Sequence, residues 1–109
     1  MRTRFLIERG ARVRNSGSMF YAASDGKLNL IRYLLSQGAE VDEKEPYSRG
    51  TALIEAAENG HAHVVKFLLQ QGTDVTATDC CRLTALEHAE ENGREEVVDL
   101  IRQHMSSAM

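Results

Sequence analysis

Among the four histidines and two cysteines of this 109-residue sequence, two pairs of residues are candidates for metal binding or nucleophilic chemistry. His61 and His63 lie two positions apart, and Cys80 and Cys81 are adjacent. Imidazole and thiolate groups are common zinc ligands, so the four residues together suggest a zinc site. The spacing between the pairs matches no common zinc arrangement, because the histidines begin a helix and the cysteines lie in a later loop. We therefore expect no metal site, and interpret these residues as a solvated surface.

Catalytic chemistry also lacks a setting in this sequence. A cysteine nucleophile needs a neighbouring base and an oxyanion pocket, and we expect Cys80 and Cys81 on an exposed loop without one. No glycine-rich phosphate loop, Ser-His-Asp arrangement or kinase signature is present. The carboxylates near the C-terminus suggest acid–base or calcium chemistry, but helices provide neither a pocket nor a ligand loop. These residues are Glu87, Glu90, Glu91, Glu95, Glu96 and Asp99. We expect no enzyme activity and no cofactor.

The cysteines and the N-terminal residues indicate the cellular compartment in which we expect the chain. Adjacent cysteines pair only through a strained ring, so we expect reduced thiols and a cytoplasmic or nuclear protein. Three apolar residues, Phe5, Leu6 and Ile7, follow the first arginines. They are too few for a signal-peptide core or a membrane span. We expect no membrane association.

Charge is unevenly distributed along a composition typical of one soluble domain. Hydrophobic residues make up 42% and charged residues 27% of the chain, and the formal net charge is −3. Residues 1–14 carry +4, from five arginines and one glutamate, so residues 15–109 sum to −7. This acidic majority makes nucleic acid an unexpected partner, while the basic end suits contact with an acidic one.

Internal repetition is the strongest pattern in the sequence. Residues 51–69 align with residues 84–102 at an offset of 33, with nine of nineteen positions identical. Unrelated segments of this composition would share roughly one or two, so the match is an internal repeat. Residues 17–35 form a third copy, which keeps the alanine pair, the glycine and the leucine pair of the middle copy.

Each copy has the spacing of a helical hairpin. Asp25-Gly26, Asn59-Gly60 and Asn92-Gly93 divide the copies, and glycine supplies the positive φ that a helix needs where it turns back. Apolar residues then recur at i, i+1, i+4 and i+5, which predicts a second helix with one wide apolar stripe. A second glycine ends this helix, and a polar segment, the finger, leads to a capping threonine at Thr51 or Thr84.

At this point the sequence resembles the ankyrin-repeat family. TALIEAAENGHAHVVKFLLQQGTDVTATD follows the family pattern, and TALEHAEENGREEVVDLIRQ looks like a C-terminal capping repeat. The resemblance implies an all-α solenoid of stacked helix-turn-helix repeats with short finger loops. Residues 1–109 form one domain, in which 1–14 end a partial repeat, 15–45 are the first repeat with a shortened finger, 46–78 the second, and 79–109 the capping repeat. The alanine pair Ala56-Ala57 suits close helix contact.

The sequence departs from the family pattern in four ways, and each departure leads to an expectation. The proline and histidine usual after the capping threonine are absent, so we expect local side-chain hydrogen bonds to be lost. Gly10 and Gly38 are 28 residues apart, against 34 for Gly38 and Gly72, which predicts a stunted first finger. The leading partial repeat suggests either a fragment of a longer array or an abbreviated N-terminal cap, open to self-association. Charges at Glu90 and Arg102 suit a terminal repeat that faces water.

In the resembled family the concave surface of fingers and short helices binds proteins, which implies a non-catalytic interaction module or scaffold here. We expect Tyr47 and the arginines to be anchors, because aromatic and guanidinium groups dominate interface energetics. Alternatives are a regulatory or targeting fragment of a larger enzyme or signalling protein, and a self-associating structural piece. The predicted partner-binding residues are Ser24, Glu43, Lys44, Glu45, Tyr47, Arg49, Glu58, Asn59, Thr78, Asp79, Cys80, Cys81, Arg82, Glu91 and Asn92.

Overall fold

Six α-helices make up the secondary structure of residues 18–107, the part of the chain that the computed structural model describes. Short and long helices alternate, and residues 18–107 contain no strand, which confirms the predicted all-α hairpins. None of these six helices is long and apolar enough to cross a membrane. The predicted partial repeat and the shortened first finger lie outside the described residues. The helices are α1 (Ser18–Ser24), α2 (Leu28–Ser36), α3 (Ala52–Glu58), α4 (Ala62–Gln70), α5 (Ala85–Glu91) and α6 (Glu95–Ser107).

The turn within each hairpin is built on a left-handed glycine. Gly26, Gly60 and Gly93 have φ values of +71°, +75° and +69°. The amide after each glycine donates to a carbonyl five residues earlier; His61 N, for example, lies 2.9 Å from Ala56 O. This hydrogen bond satisfies one of the carbonyls left open at a helix C-terminus. The three predicted helix stops are therefore confirmed.

Threonine side chains begin α3 and α5. Thr51 Oγ1 accepts a hydrogen bond from the Ile54 amide at 3.2 Å. Thr84 Oγ1 accepts from the Glu87 amide at 3.2 Å, and the Glu87 carboxylate accepts from the Thr84 amide at 2.9 Å, which completes a capping box. The expected loss of local side-chain hydrogen bonds is wrong at the start of α5, where the Glu87 carboxylate takes the place of the family's usual partner, whereas Ile54 at the same position of α3 has no polar side chain.

The core lies between two rows of helices. The short helices α1, α3 and α5, which we call the inner helices, lie side by side. Each packs against the long helix of its own hairpin, and we call these long helices, α2, α4 and α6, the outer helices. The outer helix α4 also packs against α6. Ala22, Ala56 and Ala89 occupy one position in the three inner helices and are at most 2% exposed. A methyl group at this position lets neighbouring helices approach closely, and the larger apolar side chains of the outer helices fill the space beneath.

The last hairpin carries charge where the middle one is apolar. Glu90 corresponds to Ala57, and Arg102 corresponds to Leu69. Ala57 and Leu69 are buried, whereas Glu90 and Arg102 are exposed and form an ion pair with each other. The outer side of this hairpin therefore meets water, as the sequence predicts for a terminal repeat.

Substitutions at one repeat position test this difference. Ala57→Leu should lower the free energy of unfolding by about 1–3 kcal/mol, because Ala57 is fully buried and extra methylenes force neighbouring helices apart. Glu90→Leu is the matched control and should cost at most about 1 kcal/mol, since it removes only an exposed ion pair. Urea unfolding followed by circular dichroism measures both. Equal losses would show that Glu90 is packed like Ala57.

Candidate partner-binding surface

Two finger loops lie against the inner helices and form one surface with them. Finger 1 comprises residues 37–51, between α2 and α3, and finger 2 comprises residues 71–84, between α4 and α5. The Tyr21 hydroxyl of α1 donates to the Glu45 carboxylate of finger 1 at 3.3 Å. His88 Nε2 of α5 lies 2.7 Å from Asp79 Oδ2 of finger 2. We call the fingers together with the exposed sides of α1, α3 and α5 the finger face.

The turn of finger 1 is organised by a buried carboxylate. Glu45 is 4% exposed, and its Oε1 accepts hydrogen bonds from the amides of Tyr47 at 2.9 Å and Ser48 at 2.7 Å. The Ser48 amide is the largest cause that lowers the pKa of Glu45 below its ordinary value. Arg49 completes the turn in the left-handed region, with φ +63°. Glu45 belongs to the predicted binding set, but it is not an exposed contact residue, because Oε1 accepts from the loop amides and Oε2 accepts from Tyr21 of α1.

Asp79 organises finger 2 in the same way. Its Oδ1 accepts from the amides of Cys81 at 2.9 Å and Leu83 at 3.2 Å, while its Oδ2 faces His88. Burial raises the pKa of Asp79, but the hydrogen bonds from His88 and the two amides outweigh it, and the pKa is lowered. The side chain is 11% exposed. Although it belongs to the predicted binding set, Asp79 mainly holds the turn that ends at Arg82, whose φ is +65°.

Hydrogen bonds between the fingers fix their relative position. The Lys44 ammonium donates to Thr78 O at 2.7 Å, and the Cys80 amide donates to Ser48 O at 2.8 Å. Further from the tips, the Asp42 carboxylate accepts from the Asp74 amide at 3.0 Å. Finger 1 and finger 2 therefore form a connected surface rather than two independent loops.

The remaining predicted residues are distributed between the fingertips and the helix ends. Tyr47 is 89% exposed, and Lys44, Arg49, Cys80, Cys81 and Arg82 are also exposed. Glu91, Asn59 and Asn92 are exposed at the ends of the inner helices, whereas Ser24, Glu43, Glu58 and Thr78 are half-buried. The two asparagine amides donate to carbonyls of their own helices, at 2.9 Å to Glu55 O and 2.7 Å to His88 O. The asparagines are therefore partly engaged in ending those helices.

Sequence reasoning missed one row of the finger face. Tyr21, Glu55 and His88 occupy the same position in α1, α3 and α5, five residues before the turn glycine. Tyr21 is 55% exposed and packs edge-on against Phe20, with ring centroids 5.2 Å apart. The charge of Glu45 is the main cause that raises the pKa of Tyr21. The row carries a different polar side chain in each repeat directly before a buried alanine, and this contrast was the available signal.

The histidines join neighbouring repeats. His61 Nε2 lies 2.9 Å from Ser24 O, and Arg94, at the equivalent position of the next repeat, donates from Nε to Glu58 O at 3.1 Å. His63 Nε2 lies 3.1 Å from Gly26 O. The interpretation of His61 as a merely solvated residue is therefore wrong. Within residues 18–107, no group of three or more metal-ligand side chains is close enough to hold an ion.

The repeats match a known protein family. A family model described as ankyrin repeats, in three copies, matches residues 19–108. The matched residues contain nearly all of the three hairpins and both fingers described above. A search of curated proteins found no match to an individual protein.

The junction between the first two repeats can be tested at a glycine. A Cβ added at Gly26 would lie 2.8 Å from Nδ1 of His61, whereas one added at Gly72 would have no neighbour within 4 Å. Both residues have positive φ, so either alanine costs roughly 1–2 kcal/mol through the backbone. Gly26→Ala should cost about 0.5–1.5 kcal/mol more, because His61 must leave Ser24 O. The check is the difference in unfolding free energy between the two variants; equal values would exclude a contribution from the histidine contact.

The cysteine pair gives a prediction about thiol reactivity. The pKa of Cys81 is raised, first by its hydrogen bond with Cys80, then by the charges of Cys80, Asp79 and Glu91. A raised pKa leaves less thiolate at neutral pH, and the thiolate is the nucleophile. Iodoacetamide should therefore alkylate Cys81 at pH 7.5 more slowly in the folded chain than in the urea-unfolded chain. Cys80→Ala, which removes the hydrogen-bonding side chain, should accelerate the folded-state reaction, as followed by mass spectrometry, and an unchanged rate would contradict this assignment.

Proposed function

Because the chain belongs to the ankyrin-repeat family, whose domains generally bind other proteins and are typically non-catalytic, we propose that its finger face holds a partner protein. The observation that carries the proposal is Tyr47, an aromatic side chain that is 89% exposed at the tip of a finger. Its own amide is anchored by the buried Glu45 carboxylate at 2.9 Å. An exposed ring on an anchored backbone is a suitable contact residue.

The rigidity of the fingertips favours binding. Ordering a loop at an interface consumes part of the binding free energy, so a loop that is already ordered binds more tightly for the same contacts. The turn of finger 1 is closed by the Glu45 amide on Gly50 O at 2.9 Å and linked to finger 2 through Ser48 O and the Cys80 amide. The backbone that carries Tyr47 therefore needs little further ordering.

The fingertip arginines complete the proposed contact set. Arg49 and Arg82 sit at equivalent positions of the two turns, and both are exposed. Neither forms an ion pair within the part of the chain that the structure describes. Their guanidinium groups are available for the bidentate hydrogen bonds that make arginine common in interfaces. Together, Tyr47 and these two arginines give the fingertips the aromatic and arginine composition that is typical of binding hot spots.

Affinity capture with a double variant tests the proposal. Tyr47→Ala/Arg82→Ala should reduce capture of the physiological partner about tenfold or more, because truncating a central aromatic or arginine typically costs at least about 1–2 kcal/mol. Folding of the variant should be unchanged, since both side chains are exposed. Quantitative mass spectrometry of the captured proteins, with circular dichroism of each variant, provides the measurement.

The matched control lies on the outer helices. Tyr33→Ala/Lys66→Ala also removes one exposed tyrosine and one exposed cation, from α2 and α4. We expect this pair to leave capture unchanged. If the control loses the same proteins and the finger variant keeps them, the binding surface is the outer one and the proposal is wrong. A photo-crosslinking residue at position 47 then identifies the segment of the partner that lies against the finger.

A further inference from the structure

Two exposed tyrosines of the finger face are linked through Glu45, Tyr21 by its hydroxyl and Tyr47 by its backbone amide. The Tyr21 hydroxyl donates to Glu45 Oε2 at 3.3 Å, while the Tyr47 amide donates to Oε1 at 2.9 Å. Tyr21 is 55% exposed and Tyr47 is 89% exposed. One buried carboxylate therefore holds the α1 side chain and the finger backbone together. The faces of such rings attract cations, most strongly where a neighbouring charge is also negative.

Carboxylates of α3 and α5 continue this surface beyond Tyr21. Glu55 follows Tyr21 in the same row, and Glu58 and Glu91 occupy the adjacent row at the helix ends. Burial is the main cause that raises the pKa of Glu55, and the charge of Glu58 is the second. A neighbouring negative charge that raises the pKa of Glu55 indicates a region where a cation is favourable. The inner-helix surface is therefore negative over at least two repeats.

Within the part of the chain that the structure describes, no lysine or arginine forms an ion pair with these carboxylates. Arg94 is close to Glu58 but donates to its backbone carbonyl, and Lys44 donates to Thr78 O. Within residues 18–107, the ion pair between an arginine or lysine and a carboxylate is the one that joins Arg102 and Glu90, on the outer side of the last repeat. Residues 15–109 sum to −7. Charge complementarity therefore favours a basic ligand on this face.

We propose that the partner presents a basic, extended segment, whose arginine or lysine side chains lie over Tyr21 and Tyr47 and meet Glu55, Glu58 and Glu91. This inference rests on the proposed function and specifies the chemistry of its partner. Arg49 and Arg82 belong to the fingertip turns rather than the inner helices. Acidic or C-terminal carboxylate groups elsewhere on the partner suit those two arginines.

Peptide binding tests the proposal directly. The probe is a fluorescein-labelled twelve-residue peptide of alternating arginine and glycine, with a glutamate–glycine peptide of the same length as its counterpart. Fluorescence anisotropy at 50 mM salt should show binding of the basic peptide and none of the acidic one. Glu55→Gln/Glu58→Gln/Glu91→Gln should weaken the binding about tenfold, and the difference should shrink at 500 mM salt because exposed charges are screened.

A matched variant separates this surface from net charge. Glu95→Gln/Glu96→Gln/Asp99→Asn removes three carboxylates from α6, an outer helix, where all three are exposed. We expect it to weaken binding less than about twofold to threefold. Equal weakening by the two triple variants overturns the proposal, because it would show attraction to overall negative charge. Unchanged binding in the inner-helix variant overturns it as well.

The contribution of Tyr47 is tested by a separate substitution, which keeps the proposal testable if the triple variant fails to fold. Tyr47→Ser alters a side chain that is 89% exposed, so folding should be unaffected, and it should weaken the basic peptide about threefold to fivefold. Tyr33→Ser on α2 is its control and should have no effect. Equal binding by Tyr47→Ser and the unmodified chain overturns the aromatic contribution.

Two further outcomes distinguish this inference from the proposed function. If capture depends on Tyr47 and Arg82 but the crosslinked partner segment is neutral or acidic, the function stands and the basic-segment proposal fails. If sedimentation shows self-association that the inner-helix triple variant abolishes, the occupant is a second copy through its basic residues 1–14, and a separate partner is overturned. Unchanged capture by the Tyr47→Ala/Arg82→Ala variant contradicts the proposed function itself.

Discussion

The close approach of the inner helices is the constraint on which the rest of the structure depends. Ala22, Ala56 and Ala89 face neighbouring helices with a single methyl group and are almost fully buried. Because packed interiors tolerate little extra volume, a longer side chain here would separate the repeats. Helices kept this close bring their connecting fingers within hydrogen-bond distance, as the contact of Cys80 N with Ser48 O at 2.8 Å shows. The binding surface thus follows from the core.

Polar side chains then convert close stacking into a fixed surface. Glu45 and Asp79 accept backbone amides at the two fingertip turns, and each also contacts a side chain of an inner helix. His61 and Arg94 reach back to the carbonyls of the preceding repeat. Individual hydrogen bonds of this kind contribute only about 0.5–1.5 kcal/mol, but an unpaired buried carboxylate would cost more. Their larger effect is to select one arrangement of the fingers.

Sequence predicted those parts of the fold that local rules determine. The turn glycines and the capping threonines act over at most five residues, so their spacing was sufficient to locate Gly60 and Thr84. The alternation of inner and outer helices followed from the repeat. The contact of Glu45 with Tyr21 and that of His61 with Ser24 O could not be predicted in this way, because they join residues 24 and 37 positions apart. Glutamate in a polar loop and histidine after a glycine look the same in sequence whether they bind solvent, a partner or another repeat.

Some polar residues keep the same hydrogen-bonding role in successive repeats and others do not, and this difference indicates where binding specificity lies. The residues that hold the fingers and the repeat junctions differ in type but have the same hydrogen-bonding role. Glu45 and Asp79 both supply a carboxylate that accepts backbone amides, and His61 and Arg94 both supply a donor to a backbone carbonyl. The inner-helix row differs, since it carries a phenol, a carboxylate and an imidazole in successive repeats. Tyr21 and His88 of this row contact the fingertip carboxylates of Glu45 and Asp79, whereas the Glu55 carboxylate accepts from the side-chain amide of Asn59. Because one row accommodates three different side chains on the finger face, we infer that the identity of a ligand can be encoded there.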